Sequence, residues 1–520
     1  MHRRTRSAVV MVAVCASAVL SACSSSDSEG DFTATEDQPL VIALDDLLAR
    51  TGGSAAVGIA DPQHGTITRR TDGAVVYTPA AGYTGTDSIT VTTTDAVQLF
   101  TTDIPPLGDF GGVSLQGSGY GSAFTSVPGS TDEFYGLTDR GPNVDGKGKN
   151  EKITPVPSFT PTIAKFKLVG TKAVLESTIP LKDSAGRPFN GLIDTSASTG
   201  ETIRALDGAI LPPTDHGIDS EGLVAMPDGS FWVSDEYGPF IVHFDANGTE
   251  LERLAPGRGL PREFSLRTPN QGMEGLTVTP DGNTLVGIVQ SALSEPGVAS
   301  ARDVPMTRIV TVDLKTRDVE EFVYPLEDPK QKLAVSEITA LSNTTFLVDE
   351  RDGNKAPKAN KKLWTIDIAG ATDVGPRAKV QGAQYDPELG LLVDGKPLEL
   401  LVGAVPTADG VATLRKAGIT PVAKKSNLDL GGLLDGLDAD GKFFGHDKIE
   451  GVATRDGGRT LYIADDSDFG IDAATGDQPP FGLKAKLLAN GMQDSGEVLM
   501  VDTTKLPAET QTKTITITVK

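Results

Sequence analysis

Residues 219–236 read Asp219-Ser-Glu221-Gly-Leu-Val-Ala-Met-Pro-Asp-Gly-Ser-Phe-Trp-Val-Ser-Asp235-Glu236. A Glu opens one short apolar run, a Pro-Asp-Gly turn follows, and an Asp closes the second run. Two such runs joined by a tight turn predict a β-hairpin. Because the strands of a hairpin are antiparallel, we expect Glu221 and Asp235 to lie close together at its open end.

The same pattern recurs further along the chain. The acids at the open ends of the other copies are Glu274 (with no closing Asp), Glu337 with Asp349, Glu450 with Asp465, and, in a degenerate copy, Asp139 (with no opening Glu). Repeated hairpins predict the blades of a radial β-propeller, in which all of these ends meet at one mouth of a central channel. The repeat therefore predicts a ring of carboxylates at that mouth. The alternative is that each acid only caps its own strand turn by bonding local N–H groups.

The spacing of the opening acids sets the expected number of blades. Glu221, Glu274, Glu337 and Glu450 are separated by 53, 63 and 113 residues. The last gap is about two periods, so we expect a blade with an eroded motif between residues 353 and 446. The predicted fold class is all-β: a six-bladed β-propeller, with seven blades as the alternative, preceded by a small β-sandwich domain.

The first residues have the form of an export signal. A basic start precedes an apolar run from Ser7 to Ala22, which ends in the lipobox-like sequence Leu20-Ser-Ala-Cys23. The run is too short to span a bilayer, so we predict a lipoprotein signal peptide over residues 1–22 and acylation of Cys23. The lipid would place the protein on the outer side of the cytoplasmic membrane or at the cell surface. Residues 23–31 are small and polar, which predicts a flexible tether.

The chain is strongly acidic. Its net charge is −23, and removal of Arg3, Arg4 and Arg6 with the signal peptide lowers this to −26. Such a surface argues against nucleic acid as a partner and makes divalent cations the natural counterions. The second cysteine, Cys15, lies inside the signal peptide, so we expect no internal disulfide in the mature protein. The sequence leaves the oligomeric state open.

Two further segments complete the predicted domain organisation. Residues 32–96 contain short strand-like runs separated by turns, which suggests an antiparallel sandwich. The segment from Tyr77 to Val91 resembles the cadherin-like, immunoglobulin-type modules of bacterial surfaces. Residues 97–506 are assigned to the propeller. Residues 507–520 alternate and predict a half-exposed strand, which either closes the ring or pairs with the small domain.

The sequence lacks several familiar hydrolytic motifs. It contains no Gly-x-Ser-x-Gly elbow and no His-Glu-x-x-His pair, which argues against a serine hydrolase of the α/β type and a zinc hydrolase. The stretch from Gly141 to Lys147 resembles a phosphate-binding loop, but Gly148 stands where Ser or Thr is needed. His216 and His446 lie just before acids of the repeat, where each either reaches the mouth or is an ordinary loop residue.

Carboxylates remain as the candidate chemistry. Hard oxygen ligands select Ca²⁺ or Mg²⁺, and a wide ring built by several blades favours the looser coordination of Ca²⁺. The predicted ligands are Glu221, Asp235, Glu274, Glu337, Glu450 and Asp465. Such a cation would lower the pKa of a bound water and polarise a phosphoryl oxygen.

Cationic side chains stand beside the acids of the repeat. Arg140, Arg351 and Lys448 would hold an anionic substrate and stabilise developing charge, with Asp139 or Asp349 as general base. The alternative is that these cations only form ion pairs with the neighbouring acids.

Five stretches in order carry a family resemblance. They are Tyr135-Gly-Leu-Thr-Asp-Arg-Gly-Pro-Asn143, Asp219-Ser-Glu-Gly-Leu223, Trp232-Val-Ser-Asp-Glu-Tyr-Gly238, Asn270-Gln-Gly-Met-Glu-Gly-Leu276 and Lys448-Ile-Glu-Gly-Val452. From about residue 97 to 506 the chain resembles the phytase-like esterase family of secreted bacterial proteins. The resemblance implies a β-propeller and an ester or phosphoester hydrolase.

The expected function is an exported, lipid-anchored hydrolase of a small anionic phosphoester. A propeller that binds a surface glycan or protein without catalysis is an alternative from another class. A lactonase-type propeller with one channel Ca²⁺ is a third.

Overall fold

The computed structural model describes residues 32–197 and 200–520, so the predicted signal peptide, Cys23 and the tether lie outside the described residues. Nearly all regular structure in the described chain is β-strand, as predicted. Five antiparallel units, each with four main strands, stand around one axis, and the innermost strand of each contacts the innermost strands of its two neighbours. This closed ring of sheets is a β-propeller, which confirms the predicted architecture.

The blades are numbered here in chain order, with strands running from the channel outward. Blade 1 consists of Ala123–Ser126, Glu133–Leu137, Thr162–Val169 and Lys172–Pro180. Blade 2 consists of Ser220–Ala225, Phe231–Asp235, Phe240–Phe244 and Glu250–Pro256, with Gly259–Leu260 added at its edge. Blade 3 consists of Met273–Val278, Thr284–Val289, Met306–Asp313 and Val319–Pro325. Blade 4 consists of Ala334–Ala340, Thr345–Arg351, Lys361–Asp367 and Ala423–Asp429. Blade 5 consists of Ile449–Thr454, Thr460–Asp465, Glu497–Asp502 and Val97–Thr102.

The ring is closed by pairing between the first and the last strands of the propeller in chain order. Val97–Thr102 is the outermost strand of blade 5 and pairs antiparallel with Glu497–Asp502. The first propeller strand therefore completes the last blade. Buried apolar side chains fill the wedges between adjacent blades, as between blades 2 and 3, where Trp232 and Ile241 pack with Leu285 and Val310.

The predicted count of six or seven blades is not met, because the described residues form five. The 113-residue gap between Glu337 and Glu450 holds no extra blade. Instead, residues 368–422 are inserted between the third and fourth strands of blade 4, and they contain a small sheet and two helices. The elements of this insertion are Ala383–Asp386, Gly390–Val393, Lys396–Pro397, helix Leu398–Val402 and helix Thr407–Lys416.

Other short elements lie in the loops between the blade strands. A second small sheet joins Val144–Asp145, Glu151–Thr154, Thr202–Ala205 and Ile210–Leu211. Two hairpins are formed by Gly108–Phe110 with Val113–Leu115 and by Ile471–Thr475 with Gly482–Ala485. The remaining helices of the propeller are α-helix Leu430–Leu437 and the 3₁₀ turns Arg262–Leu266, Ala301–Asp303, Pro329–Gln331, Asp468–Gly470 and Thr503–Lys505. No helix in the described part of the chain is long and apolar enough to cross a bilayer.

The small domain is built from both ends of the described chain. One sheet orders Phe32–Ala34, Thr510–Val519, Gly85–Thr94 and Ala55–Ala60, and the other orders Leu40–Ile42, Val75–Pro79 and Gly65–Arg69; helix Leu44–Thr51 packs beside them. The C-terminal strand pairs with Gly85–Thr94 over its whole length, so it belongs to the small domain rather than to the ring. Its alternate residues Ile515, Ile517 and Val519 are buried in the core of that domain.

Candidate active site

A polar pocket of about 270 Å³ opens at one mouth of the channel. It is lined by side chains from all five blades and from the small sheet above them. Its acids include Asp139, Glu221, Glu236, Glu274, Glu450 and Asp468, and its cations are Arg140, Lys152, Arg351 and Lys448. The structure therefore brings together three of the predicted ligands and four of the five residues predicted for substrate binding and catalysis.

A local irregularity in the inner strands aims these glutamates. In blades 2, 3 and 5 the pairing between the two inner strands shifts at the Glu-Gly step, as between Ser220 and Leu223. Such a β-bulge takes one residue out of the ladder and redirects its side chain. Glycine follows because the neighbouring strand passes close by. A Cβ on Gly222 would lie 2.6 Å from the backbone nitrogen of Leu276, and one on Gly451 would lie 2.6 Å from Cβ of Phe124.

Blade 4 lacks this Glu-Gly step and places its glutamate differently. Its register shifts before Glu337, which then pairs directly with Asp349. Oε1 of Glu337 accepts hydrogen bonds from the backbone N–H groups of Ile338 at 2.8 Å and Leu276 at 3.3 Å. Glu337 thus bonds to the backbone of its own strand and of blade 3, and the pocket lining does not include it.

The closing aspartates also bond to the backbone. Oδ1 of Asp235 accepts from the N–H of Tyr237 at 2.8 Å and of Asp219 at 3.2 Å. Oδ1 of Asp465 accepts from the N–H of Glu497 at 2.6 Å. Both side chains are buried outside the pocket lining, so the structure does not gather Asp235 and Asp465 with Glu221.

Two unpredicted acids complete the most compact group at the mouth. Carboxylate oxygens of Asp219, Glu221 and Glu236 lie within 4.8 Å of one another, and all three side chains are buried. Glu274 Oε2, which lines the same mouth, accepts no hydrogen bond from any described residue, whereas Asp219 Oδ2 is ion-paired with Nη1 of Arg140 at 3.2 Å. The signal was present in the sequence, because Asp219 and Glu236 flank the predicted acids in the same repeat unit.

The crowding of these acids changes their proton affinity. Burial, and then repulsion from Glu274 and Asp219, raises the pKa of Glu221 well above its usual range. Burial and the charge of Glu274 do the same for the pKa of Glu236. Burial and the charge of Glu450 raise the pKa of Glu274 to about 8. These raised pKa values mean that the acids hold protons near neutral pH unless positive charge neutralises them.

Arg140 contacts this acidic group directly through Asp219. Its Nη1 donates to Tyr237 Oη at 3.0 Å and Asn270 Oδ1 at 2.6 Å, and lies 3.2 Å from Asp219 Oδ2. Its backbone N–H also donates to Asp219 Oδ1 at 3.2 Å. The guanidinium is thus held rigidly, and although burial alone would lower its pKa, Asp219 and Tyr237 keep that pKa well above the usual value.

The other two predicted cations also pair with acids. Arg351 donates through Nη2 to Glu450 and through Nε to Ser336 Oγ at 2.9 Å. Lys448 Nζ lies 3.1 Å from Asp466 Oδ2 and 2.6 Å from Asp468 Oδ1. Burial alone would lower the pKa of Lys448, but these two carboxylates outweigh it and raise the pKa well above its usual range. Lys448 is still one-third exposed, so its ammonium remains accessible from the pocket.

The two candidate bases differ in position. Asp139 lines the pocket, its Oδ1 accepts from the N–H of Gly141 at 2.8 Å, and burial together with repulsion from Asp466 raises its pKa. Asp349 lies outside the pocket lining, and neither of its carboxylate oxygens accepts a hydrogen bond from the described chain. Burial raises the pKa of Asp349 to about 7. Only Asp139 is placed to meet a substrate in the pocket.

A family model described as "Esterase-like activity of phytase" matches residues 116–469, which is more than half of the chain. The chain belongs to this phytase-like family. The resemblance found in the sequence is therefore confirmed. A second model, described as a bacterial Ig domain, matches residues 24–104 and agrees with the immunoglobulin-type resemblance of the small domain.

Similar proteins of this phytase-like chain include an uncharacterized secreted protein of Arthroderma benhamiae. The two are 29% identical over 279 residues, which is 42% of this chain and 54% of that protein. The chain thus spans about half the length of the curated relative it matches.

Two solved structures show a general likeness to the chain. The Dos1 propeller is 9% identical with a TM-score of 0.27, and the match covers 91% of this chain and 96% of that one. The periplasmic gluconolactonase PpgL of Pseudomonas aeruginosa is 11% identical with a TM-score of 0.26, covering 85% and 99%. At such low scores the propeller fold rests on the observed ring of five blades.

Proposed function

We propose that the protein is an exported hydrolase that cleaves a small anionic phosphoester at the mouth of its propeller, with the help of a divalent cation. The observation that carries this proposal is one polar pocket in which clustered carboxylates lie beside three cations, each of them paired with an acid. Family membership supports an ester bond as the target. The pocket of about 270 Å³ suits a small substrate rather than a polymer.

The residues present at the mouth fit a hard divalent cation. Asp219, Glu221 and Glu236 offer oxygen ligands within 4.8 Å of one another, and Glu221, Glu236 and Glu274 line the pocket. The buried oxygen Glu274 Oε2, which accepts no hydrogen bond within the described residues, is the kind of acceptor that such a cation satisfies. This ligand set replaces the ring predicted from the sequence, and Ca²⁺ remains the cation we propose. When bound, the cation would supply the positive charge that activates water and polarises the ester.

The cations of the pocket would bind and orient the substrate anion. Lys448 is accessible and strongly basic, so it can reach a phosphate oxygen without losing its proton. Arg351 and Arg140 are anchored by Ser336 and Asn270, which fixes their forks before substrate arrives. Without these groups, the acidic pocket would repel an anionic ester.

Asp139 is the proposed general base. It lies beside Arg140 in the pocket lining, and its raised pKa brings proton exchange closer to neutral pH. Its hydrogen bond to the N–H of Gly141 holds one oxygen in place and leaves the other for a proton. Asp349, the other candidate in the sequence, is not assigned this role because it lies outside the pocket lining.

The proposed location is the outer side of the cytoplasmic membrane or the cell surface. The signal-like leader and the lipobox-like sequence before Cys23 support export and acylation. A curated relative is named a secreted protein, which agrees with export. Labelling of cells with a clickable fatty acid would mark the wild-type protein and leave Cys23→Ala unmarked. Equal labelling of the two would remove the lipid anchor from the proposal.

A substrate panel tests the catalytic proposal. Purified protein would be incubated with phosphomonoesters, aryl esters and lactones, in Ca²⁺ and in chelator. We expect cation-dependent phosphate release that falls at least 100-fold in Glu221→Gln and is unchanged in the surface control Glu252→Gln. Turnover of lactones alone would favour the lactonase alternative. A folded protein that is inert toward the whole panel would favour a binding propeller.

A further inference from the structure

A second group of convergent side chains lies in blade 5, away from the compact acidic group at the mouth. His446 precedes the innermost strand, Asp465 ends the second strand, and Asp494 precedes the third. Because adjacent strands are antiparallel, these three positions meet at the same end of the blade. The three side chains have no solvent exposure at all.

The two aspartates converge on one nitrogen of the histidine. Nδ1 of His446 lies 2.8 Å from Asp494 Oδ1 and 3.1 Å from Asp465 Oδ2. One ligand atom from each of the three residues falls within 4.8 Å of the others. The other charged contact of Asp494 is Lys486 Nζ, 3.2 Å from Oδ2.

The other ring nitrogen of His446 is held by a fourth residue. Nε2 of His446 lies 3.0 Å from Glu497 Oε2, which makes Nε2 the N–H donor. In a neutral ring Nδ1 then carries a lone pair, and it faces two carboxylate oxygens. That arrangement is repulsive unless a proton or a metal ion lies between them. A carboxylate that orients a histidine from behind is the usual support of a metal-bound imidazole.

The hydrogen bonds that the buried carboxylate oxygens accept favour a metal ion over a proton at this position. A proton on Nδ1 can be donated to Asp494 Oδ1, the nearer oxygen. Asp494 Oδ2 is paired with Lys486 Nζ at 3.2 Å, but the buried Asp465 Oδ2 would still accept no hydrogen bond within the described chain. A cation between Nδ1 and the two aspartates would satisfy His446 and Asp465 together.

We propose that His446, Asp465 and Asp494 form a second metal site, which takes a first-row transition ion such as Zn²⁺ or Mn²⁺. Imidazole nitrogen mixed with carboxylate oxygen selects this class of ion, whereas the oxygen-only group at the mouth selects Ca²⁺. The site stands independently of the proposed hydrolase activity. Lys486 also lies 2.7 Å from Asp468 Oδ2, and Asp468 Oδ1 lies 2.6 Å from Lys448 Nζ, so charged contacts connect this site to the pocket.

Metal binding to the full purified protein tests the site directly. After treatment with chelator, the protein would be titrated with Zn²⁺ and, for spectroscopy, with Co²⁺, in the presence of excess Ca²⁺ to fill the mouth. We expect one equivalent of tightly bound Zn²⁺ and a visible Co²⁺ absorption band. His446→Gln should weaken Zn²⁺ binding at least 100-fold. The matched control His216→Gln alters a partly exposed histidine paired with Asp215 and should bind as the wild type does.

Further readouts keep the test decisive if His446→Gln fails to fold. Asp494→Asn provides a second variant, and its thermal melting should lose the Zn²⁺-induced stabilisation seen in the wild type. X-ray absorption of the Co²⁺-loaded wild type should show one imidazole among oxygen ligands. No tight binding by the wild type, or binding without an imidazole ligand, would overturn the proposal. So would unchanged affinity in a folded His446→Gln protein.

Discussion

Replacement of Glu274 by Gln should stabilise the protein at pH 7 in the absence of the mouth cation and lose that advantage when the cation is bound. Burial and the charge of Glu450 raise the pKa of Glu274 from 4.5 to about 8. Between these values the folded protein holds a proton that the unfolded chain releases. The stability contributed by this group is therefore complete below pH 4.5 and is lost as pH rises through 8.

The magnitude follows from the interval between the ordinary pKa and the working pH. At pH 7 the Glu274 side chain is ionised in the unfolded chain but still protonated in most of the folded protein. This pH lies 2.5 units above the ordinary pKa of 4.5. At about 1.4 kcal/mol per unit this costs about 3 kcal/mol. Glu274→Gln removes the cost, so in chelator at pH 7 the free energy of unfolding of the variant should be about 2–3 kcal/mol higher than that of the wild type. The two should be equal near pH 4.5.

Calcium should abolish or reverse this advantage. A cation at 100 times its dissociation constant stabilises the folded wild type by about 2.7 kcal/mol, and the variant loses most of that gain with its ligand. Urea denaturation at pH 4.5 and 7, in chelator and in Ca²⁺, measures all four cases. Glu388→Gln, at an acid that is two-thirds exposed, is the matched control and should change little. If Glu274→Gln were equally destabilised with and without Ca²⁺, the raised pKa and the cation site would both be refuted.

Three further variants test other parts of the molecule. Gly451→Ala should lower the urea midpoint by an amount worth about 1–3 kcal/mol, since its Cβ would meet Phe124, while Gly370→Ala, with open space around it, should not. Burial raises the pKa of Asp349 to about 7, so the free energy of unfolding of the wild type should fall between pH 4 and 7, and it should fall less in Asp349→Asn. Parallel pH profiles of the two proteins would contradict this. Deletion of residues 510–520 should expose the small domain to limited proteolysis while the propeller resists it, and equal resistance of both domains would be the contrary result.

Most of the fold could be predicted from the repeat in the sequence. Every predicted hairpin forms, because a turn between two apolar runs is a local signal that tertiary structure did not override. The number of blades was harder to predict, since an insertion inside blade 4 has about the length of a blade. Only the pairing of Ala423–Asp429 with Lys361–Asp367, across that insertion, distinguishes the two cases.

The site was predicted in outline and missed in detail for a reason that concerns register. A bulge shifts side chains relative to simple alternation, so Glu236 and Asp219 reach the mouth while Asp235 turns to the backbone. The bond from Tyr237 N–H to Asp235 is a common local turn of Asp, and that rule could have been applied to the sequence. The bulge itself depends on pairing with the partner strand, which a single chain pattern does not record.

The interleaving of the two domains fixes the order in which they can be completed. Thr510–Val519 forms the centre of a sheet whose other strands were made more than 400 residues earlier. During synthesis or export from the N-terminus, most of the small domain therefore emerges first but stays incomplete until Thr510–Val519 follows. The ring needs only the residues from Val97 to Asp502 and can close sooner. The small domain can thus be completed only after the residues that close the ring have been made.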